Sequence, residues 1–152
     1  MRYLIIILLL LGGCTVKKPS HSQSVALTIK APSLRYSGAG FLYRDDGVLF
    51  EAYEGRAAFR LGIRDRVCLD GRCLSFEEFN RRFLVPCYPA DLIKRVLLAK
   101  PLVDEGLKKT ENGFLQRLRT SCFDIVYSIS GDTIYFKDKK NNILIKIRRL
   151  DG

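Results

Sequence analysis

The chain has a single histidine, His21, and that scarcity excludes more chemistry than any other feature. An H-E-x-x-H zinc site needs two histidines one helical turn apart, and a Ser-His-Asp triad needs one held in a packed site. His21 lies instead in the polar run Thr15 to Ser24 (TVKKPSHSQS), where a lone histidine reads as a solvated side chain. The sequence also lacks a phosphate-binding loop, and Gly38-Ala39-Gly40 is a pair of strand glycines without the rest of a dinucleotide fingerprint. No two cysteines stand in C-x-x-C spacing, which argues against a zinc ribbon and against a thioredoxin-like redox centre. The acidic pairs Asp45/Asp46, Glu77/Glu78 and Asp104/Glu105 fall at turns or a helix start, where carboxylates serve capping and solubility. These absences predict a protein that is not an enzyme and that carries neither a metal nor a cofactor.

Acidic residues are short as well, with 16 Asp and Glu against 26 Lys and Arg and a formal net charge of +10. Such a balance favours anionic partners, nucleic acid or lipid headgroups. The basic residues, among them Arg64, Arg66, Arg81, Arg82, Lys94, Arg95, Lys108, Lys109, Lys139, Lys140, Arg148 and Arg149, are scattered over all parts of the chain. No arginine-rich arm stands out, so a plain solvated basic surface competes with a specific headgroup site.

No apolar run reaches the roughly 20 residues needed to cross a bilayer. The longest, Tyr3 to Leu11, follows Arg2 and precedes Gly12, Gly13 and Cys14. A charged start, a short apolar core and a small-residue cleavage site describe a secretory signal peptide over 1–13. Leu11-Gly12-Gly13-Cys14 resembles the lipobox of bacterial lipoproteins. That resemblance implies cleavage before Cys14, a diacylglyceryl thioether on its sulfur and a further acyl group, such as palmitate, on its new amino group. Thr15, a non-acidic residue after the lipid cysteine, points by the enterobacterial rule to the periplasmic face of the outer membrane. Residues 14–24 then read as a lipidated cysteine and flexible tether, and 25–152 as one domain with one core. Export argues against nucleic acid as a partner.

With Cys14 assigned to lipid, Cys68, Cys73, Cys87 and Cys122 form an even set in an oxidising compartment. In Val67-Cys68-Leu69-Asp70-Gly71-Arg72-Cys73-Leu74 the Asp-Gly pair signals a two-residue hairpin. Cys68 then faces Cys73 as a non-hydrogen-bonded pair with Cα atoms about 4.5 Å apart, at the short end of the disulfide range. Cys87 and Cys122 remain for each other.

Alternation predicts strands at Val25 to Lys30, Gly38 to Arg44, Val48 to Tyr53 and Arg56 to Ile63, followed by the Asp70-Gly71 hairpin. The period then lengthens. Ser75 and Glu78 form a capping box for a helix over 76–84, with Phe76, Phe79 and Phe83 at helical spacing. Pro89 opens a second helix to about Ala99, with Leu92, Ile93, Val96 and Leu97 on its apolar face. A weak strand at Leu102 to Leu107 precedes clearer ones at Phe114 to Arg119, Phe123 to Ile129, Ile134 to Phe136 and Ile143 to Ile147. The class is α+β: an antiparallel sheet curled into a half-open barrel, with two mid-chain helices on its concave face. Such a sheet either encloses an apolar cavity suited to acyl chains or is filled by its helices as plain core.

Several strings resemble the LolB-type outer-membrane lipoprotein receptors over about residues 34–150. Tyr36-Ser37-Gly38-Ala39-Gly40 is similar to that family's opening strand. Tyr88-Pro89-Ala90-Asp91-Leu92-Ile93, with Leu97 to Pro101, is similar to its Pro-x-x-Leu helix and closing proline. Phe114-Leu115-Gln116 and Ile125-Val126-Tyr127 resemble its glutamine-bearing strand and the next. The chain departs from the family in lacking a leading helix and tryptophan, in its extra cysteine pairs, and in offering no match near Tyr53 to Ala57 for the leucine that enters the bilayer. The resemblance implies an apolar cavity that binds the acyl chains of other lipoproteins, delivered by a periplasmic carrier. Its candidate lining is Phe59, Leu61, Phe79, Phe83, Leu92, Val96, Ile125, Tyr127 and Ile145. The competing expectation is a structural or interaction lipoprotein of the envelope with no ligand cavity.

Overall fold

A computed structural model describes residues 22–52 and 59–150. The leader with Cys14, His21 and the stretch 53–58 lie outside the described residues. Among the described residues eleven strands follow one another, with two short helices between the sixth and the seventh. They are β1 (Ser22–Ala31), β2 (Leu34–Arg44), β3 (Val48–Ala52), β4 (Arg60–Ile63), β5 (Val67–Leu69), β6 (Arg72–Leu74), α1 (Phe76–Phe83), α2 (Leu92–Leu97), β7 (Leu107–Thr110), β8 (Gly113–Arg119), β9 (Asp124–Ser130), β10 (Thr133–Asp138) and β11 (Ile143–Arg149).

All strands join one antiparallel sheet in the order β6-β5-β4-β3-β2-β1-β11-β10-β9-β8-β7. The sheet is thus two meanders joined where β1 pairs with β11, Ile29 opposite Ile145 and Leu27 opposite Ile147. Every other pairing is between strands adjacent in sequence. The edges β6 and β7 do not pair, so the sheet is not closed into a barrel. Segment 75–106, which carries both helices, is the connection between those two edges.

The period-2 pattern puts one set of apolar side chains on the helix-covered face. A cross-strand row runs Gln116, Tyr127, Phe136, Ile145, Ile29 over β8, β9, β10, β11 and β1, all five buried. A second runs Leu42, Phe50, Leu61, Leu69 over β2 to β5. At Gly40, between these regions, an added Cβ would stand 2.3 Å from the Glu51 carbonyl oxygen and 2.6 Å from the Phe50 ring. The close approach of β3 therefore needs a glycine there. Asp70 and Gly71 take φ of 49° and 85°, the left-handed pair of a tight hairpin turn.

In α1 the Ser75 Oγ accepts the amide of Glu78 at 3.2 Å, the predicted N-cap. The second helix is shorter than its apolar period indicates. The Pro89 and Ala90 carbonyls accept from the Asn80 side chain, and regular α-helix starts only at Leu92. At its other end Arg44 Nε donates to the Leu97 carbonyl at 2.8 Å, and Ala99 turns to φ 56°. All four predicted face residues, Leu92, Ile93, Val96 and Leu97, are buried against the sheet. Leu102 to Gly106 is a loop, and β7 begins only at Leu107. Among the described residues every strand, both helices and both cystines lie within 22–150, a span that a chain starting at Thr15 contains whole.

Candidate functional site

Cys68 and Cys73 are bonded, with Cα atoms 3.9 Å apart and the predicted register of Cys68 opposite Cys73 and Leu69 opposite Arg72. Because the cystine projects to one side of this hairpin, Val67, opposite Leu74, and Leu69, opposite Arg72, turn to the other. There they meet the apolar edge of α1. The result is a groove of about 420 Å³ lined by Val67, Leu69, Leu74, Phe79 and Phe83, with Asp70, Arg72 and Arg82 among its polar residues. The Phe79 and Phe83 rings lie 5.2 Å apart, and the Arg82 guanidinium sits 5.8 Å from the Phe83 centroid. Arg72 and Arg82 thus place cations, and Asp70 a carboxylate, beside an apolar slot.

The structure gathers the nine predicted lining residues into one apolar cluster but not around one cavity. Leu61, Phe79, Leu92, Val96, Ile125, Tyr127 and Ile145 are all 0–1% exposed within it, and Phe59 and Phe83 are packed at its margin. Only Phe79 and Phe83 line the groove. Phe59 stacks on Tyr36 with centroids 4.1 Å apart, next to Phe50. Val67, Leu69 and Leu74 were not anticipated as lining, although pairing Cys68 with Cys73 already places them on the opposite side of the hairpin. A larger hollow, about 710 Å³, lies across β3 and β4 mainly on the face away from the helices. It is lined by Tyr43, Leu49 and Gly62 together with charges of both signs, including the Glu51–Arg60 ion pair at 3.1 Å.

The buried polar groups hold the helical segment to the sheet. Asp138 is fully buried and accepts from Tyr88 Oη at 2.5 Å, Asn141 Nδ2 at 2.6 Å and the amides of Asp124, Lys140 and Asn141. Burial alone would raise its carboxyl pKa, but these donors outweigh that and hold it below the ordinary carboxylate range. Burial, reinforced by Asp138, pushes the Tyr88 phenol far above its ordinary value. The side chain of Gln116 accepts from Leu102 N at 2.8 Å and donates to the carbonyls of Val103 and Glu105, both at 2.7 Å. It fixes the loop that leads back to the sheet. The second predicted cystine, Cys87–Cys122, is also present, Cα atoms 6.5 Å apart, and clips the segment between the helices to the β8–β9 turn. The Tyr127 hydroxyl is buried without a hydrogen-bond partner, and burial pushes its pKa up. Among the described residues no trio of His, Cys, Asp or Glu side chains is placed to hold a metal ion. None of their helices is long and apolar enough to cross a membrane.

Fold and groove together define a class: an open antiparallel sheet whose two edges are joined by a helical segment, with an apolar slot under that segment. No family model matches the chain, and no match to it is found among curated proteins.

Proposed function

We propose that this is a lipoprotein, anchored through lipid on Cys14 at the periplasmic face of the outer membrane, whose domain takes up an acyl chain and helps to receive or place other lipoproteins. The groove between α1 and the Cys68–Cys73 hairpin carries the reading. Its volume, about 420 Å³, lies above the roughly 300 Å³ at which small-ligand sites begin, and five apolar side chains line it. The topology supports it as well. Open twisted sheets of more than about ten strands curl or split, and a helical segment that joins both edges favours curling into a half-barrel around it. That is the architecture implied by the LolB-type resemblance.

A second reading rests on the seven predicted lining residues that are fully buried in the core cluster. Their dense packing favours an interaction lipoprotein whose interior holds no ligand. The two readings part on lipid extraction from the disulfide-bonded 15–152 fragment, followed by mass spectrometry. Co-purifying acyl lipid that is lost in Phe83→Glu supports the carrier. Folded fragment without lipid, and without lipid uptake from micelles, supports the packed alternative. Phe83 is the site to change because it is only partly buried. Val96→Arg would instead place a charge in the centre of the core.

A further inference from the structure

The side of the sheet that the helices leave uncovered has a charge pattern that the scattered sequence positions conceal. Register and alternation put Lys137 on β10, Leu144 on β11, Lys30 on β1 and Arg35 on β2 in one cross-strand row. The next row on the same face carries Tyr135, Lys146, Thr28 and Ser37, and the one after it Thr133, Arg148, Ala26 and Ala39. The face of these four central strands therefore presents Lys30, Arg35, Lys137, Lys146 and Arg148, and no described acidic residue of those strands points to it. None of the five forms an ion pair among the described residues. The row of three cations borders a hollow of about 460 Å³ whose remaining lining is Ala31, Pro32, Asn141, Asn142 and Leu144. Phe41 and Tyr135 belong to the same face and are 40% and 36% exposed.

We propose that this face docks on an anionic bilayer, with Lys30, Arg35 and Lys137 seating a phosphate-bearing headgroup. Three observations favour a membrane over a soluble polyanion. The cations are spread over four strands, about 15 Å at the strand spacing, and do not line a narrow track. Exposed aromatic rings stand among them, as at membrane interfaces. The third rests on the lipid-anchor reading: Cys14 is eight residues before Ser22, so a chain rising at most about 3.5 Å per residue holds β1 within roughly 30 Å of the bilayer. Ser22 and Ser24 open β1 opposite Tyr43 and Phe41, so the strand that follows Cys14 begins beside those rings. Docked this way, the domain turns its helical side toward the aqueous compartment, where a carrier arrives.

The test uses the 15–152 fragment, which has no Cys14, in co-sedimentation with vesicles of phosphatidylcholine alone and of a three-to-one mixture with phosphatidylglycerol. The expected result is binding to the mixed vesicles, released by salt, and little to the neutral ones. A Lys/Arg near an anionic surface contributes about a fivefold gain in partition, so Lys30→Gln with Lys146→Gln weakens binding about 25-fold. Arg81→Gln with Lys100→Gln removes the same charge from the helical segment and leaves binding within about twofold. Equal weakening by the two pairs, or no binding to the mixed vesicles, overturns the proposal. Tighter binding to single-stranded nucleic acid through the same residues overturns the assignment to lipid. Mass spectrometry of the full chain reads the lipid on Cys14 separately, so failure of the anchor and failure of the docking face are distinguishable.

Discussion

The phenol of Tyr88, between the two helices, donates to the carboxylate of Asp138, at the end of β10, across 2.5 Å with both residues buried. Cys87 beside it is bonded to Cys122, so a covalent and a hydrogen-bonded tie fasten the helical segment to one end of the sheet. The Tyr88 ring completes the joint by meeting Phe123 and Phe136 edge-on at 5.7 and 6.1 Å.

This joint gives stability a dependence on pH at both ends. Asp138 has a lowered folded pKa, so the unfolded state binds its proton first and the stabilisation is lost as pH falls below about 4. Tyr88 has a raised pKa, so the unfolded state loses its proton first and stability falls as pH rises above about 10. Tyr88→Phe is expected to cost about 1.5–3 kcal/mol near neutrality, to move acid unfolding to higher pH and to flatten the alkaline decline. Urea unfolding followed across pH checks all three, and an unchanged acid limb would contradict the assigned role of the phenol.

The two cystines are expected to differ in weight. Cys87–Cys122 spans 35 residues and Cys68–Cys73 spans 5. Chain entropy assigns the long closure about 4 kcal/mol and the short one about 2 kcal/mol. Paired serine replacements, compared by denaturant unfolding, should show the larger loss for Cys87→Ser with Cys122→Ser. The Cys68→Ser, Cys73→Ser variant should instead show its effect at the groove, as faster hydrogen exchange at Val67 and Leu74.

Gln116 satisfies three backbone groups of the 102–106 loop from a fully buried position. Gln116→Leu is nearly the same size but leaves those groups without partners, so a loss of about 2–3 kcal/mol is expected. Hydrogen exchange at the Leu102 amide, measured in the folded variant, should rise toward the free-loop rate.

Tyr127 is the opposite case. Its hydroxyl is buried and makes no hydrogen bond, while its ring packs against Phe114 and Phe136 at 5.4 and 6.3 Å. Tyr127→Phe keeps the packing and removes the desolvated group, so stability should hold or rise by up to about 1 kcal/mol. A loss larger than that in thermal unfolding would mean the hydroxyl has a partner in solution.

Local rules made much of this fold legible. Alternation located most strands within a few residues, and Ser75 located the start of α1. Asp70-Gly71 set a register that placed Cys68 opposite Cys73. The two misplaced elements share a cause, which is that side chains from elsewhere bond the backbone groups. The segment from Pro89 to Asp91 has a helical pattern, yet the Asn80 side chain bonds the Pro89 and Ala90 carbonyls and the helix starts late. Leu102 to Gly106 looked like a weak strand, but Gln116 bonds it as a loop. For the nine predicted lining residues, hydrophobicity and period identify an interior position without telling core from cavity wall. Hence seven of them lie fully buried in the cluster, Phe79 among them, Phe59 packs at its margin, and only Phe79 and Phe83 line the groove.

The sequence by itself determined the composition of each strand's two faces, the hairpin turns and the cysteine partners, because these depend on neighbours a few residues apart or on simple elimination. Tertiary structure alone decided that β1 pairs with β11, joining the two meanders into one sheet. It decided equally that Lys30, Arg35, Lys137, Lys146 and Arg148, more than a hundred positions apart at the extremes, share one face. Long-range pairing costs loop-closure entropy that no local pattern encodes, and only the combined burial of both meanders and the helical segment offsets it.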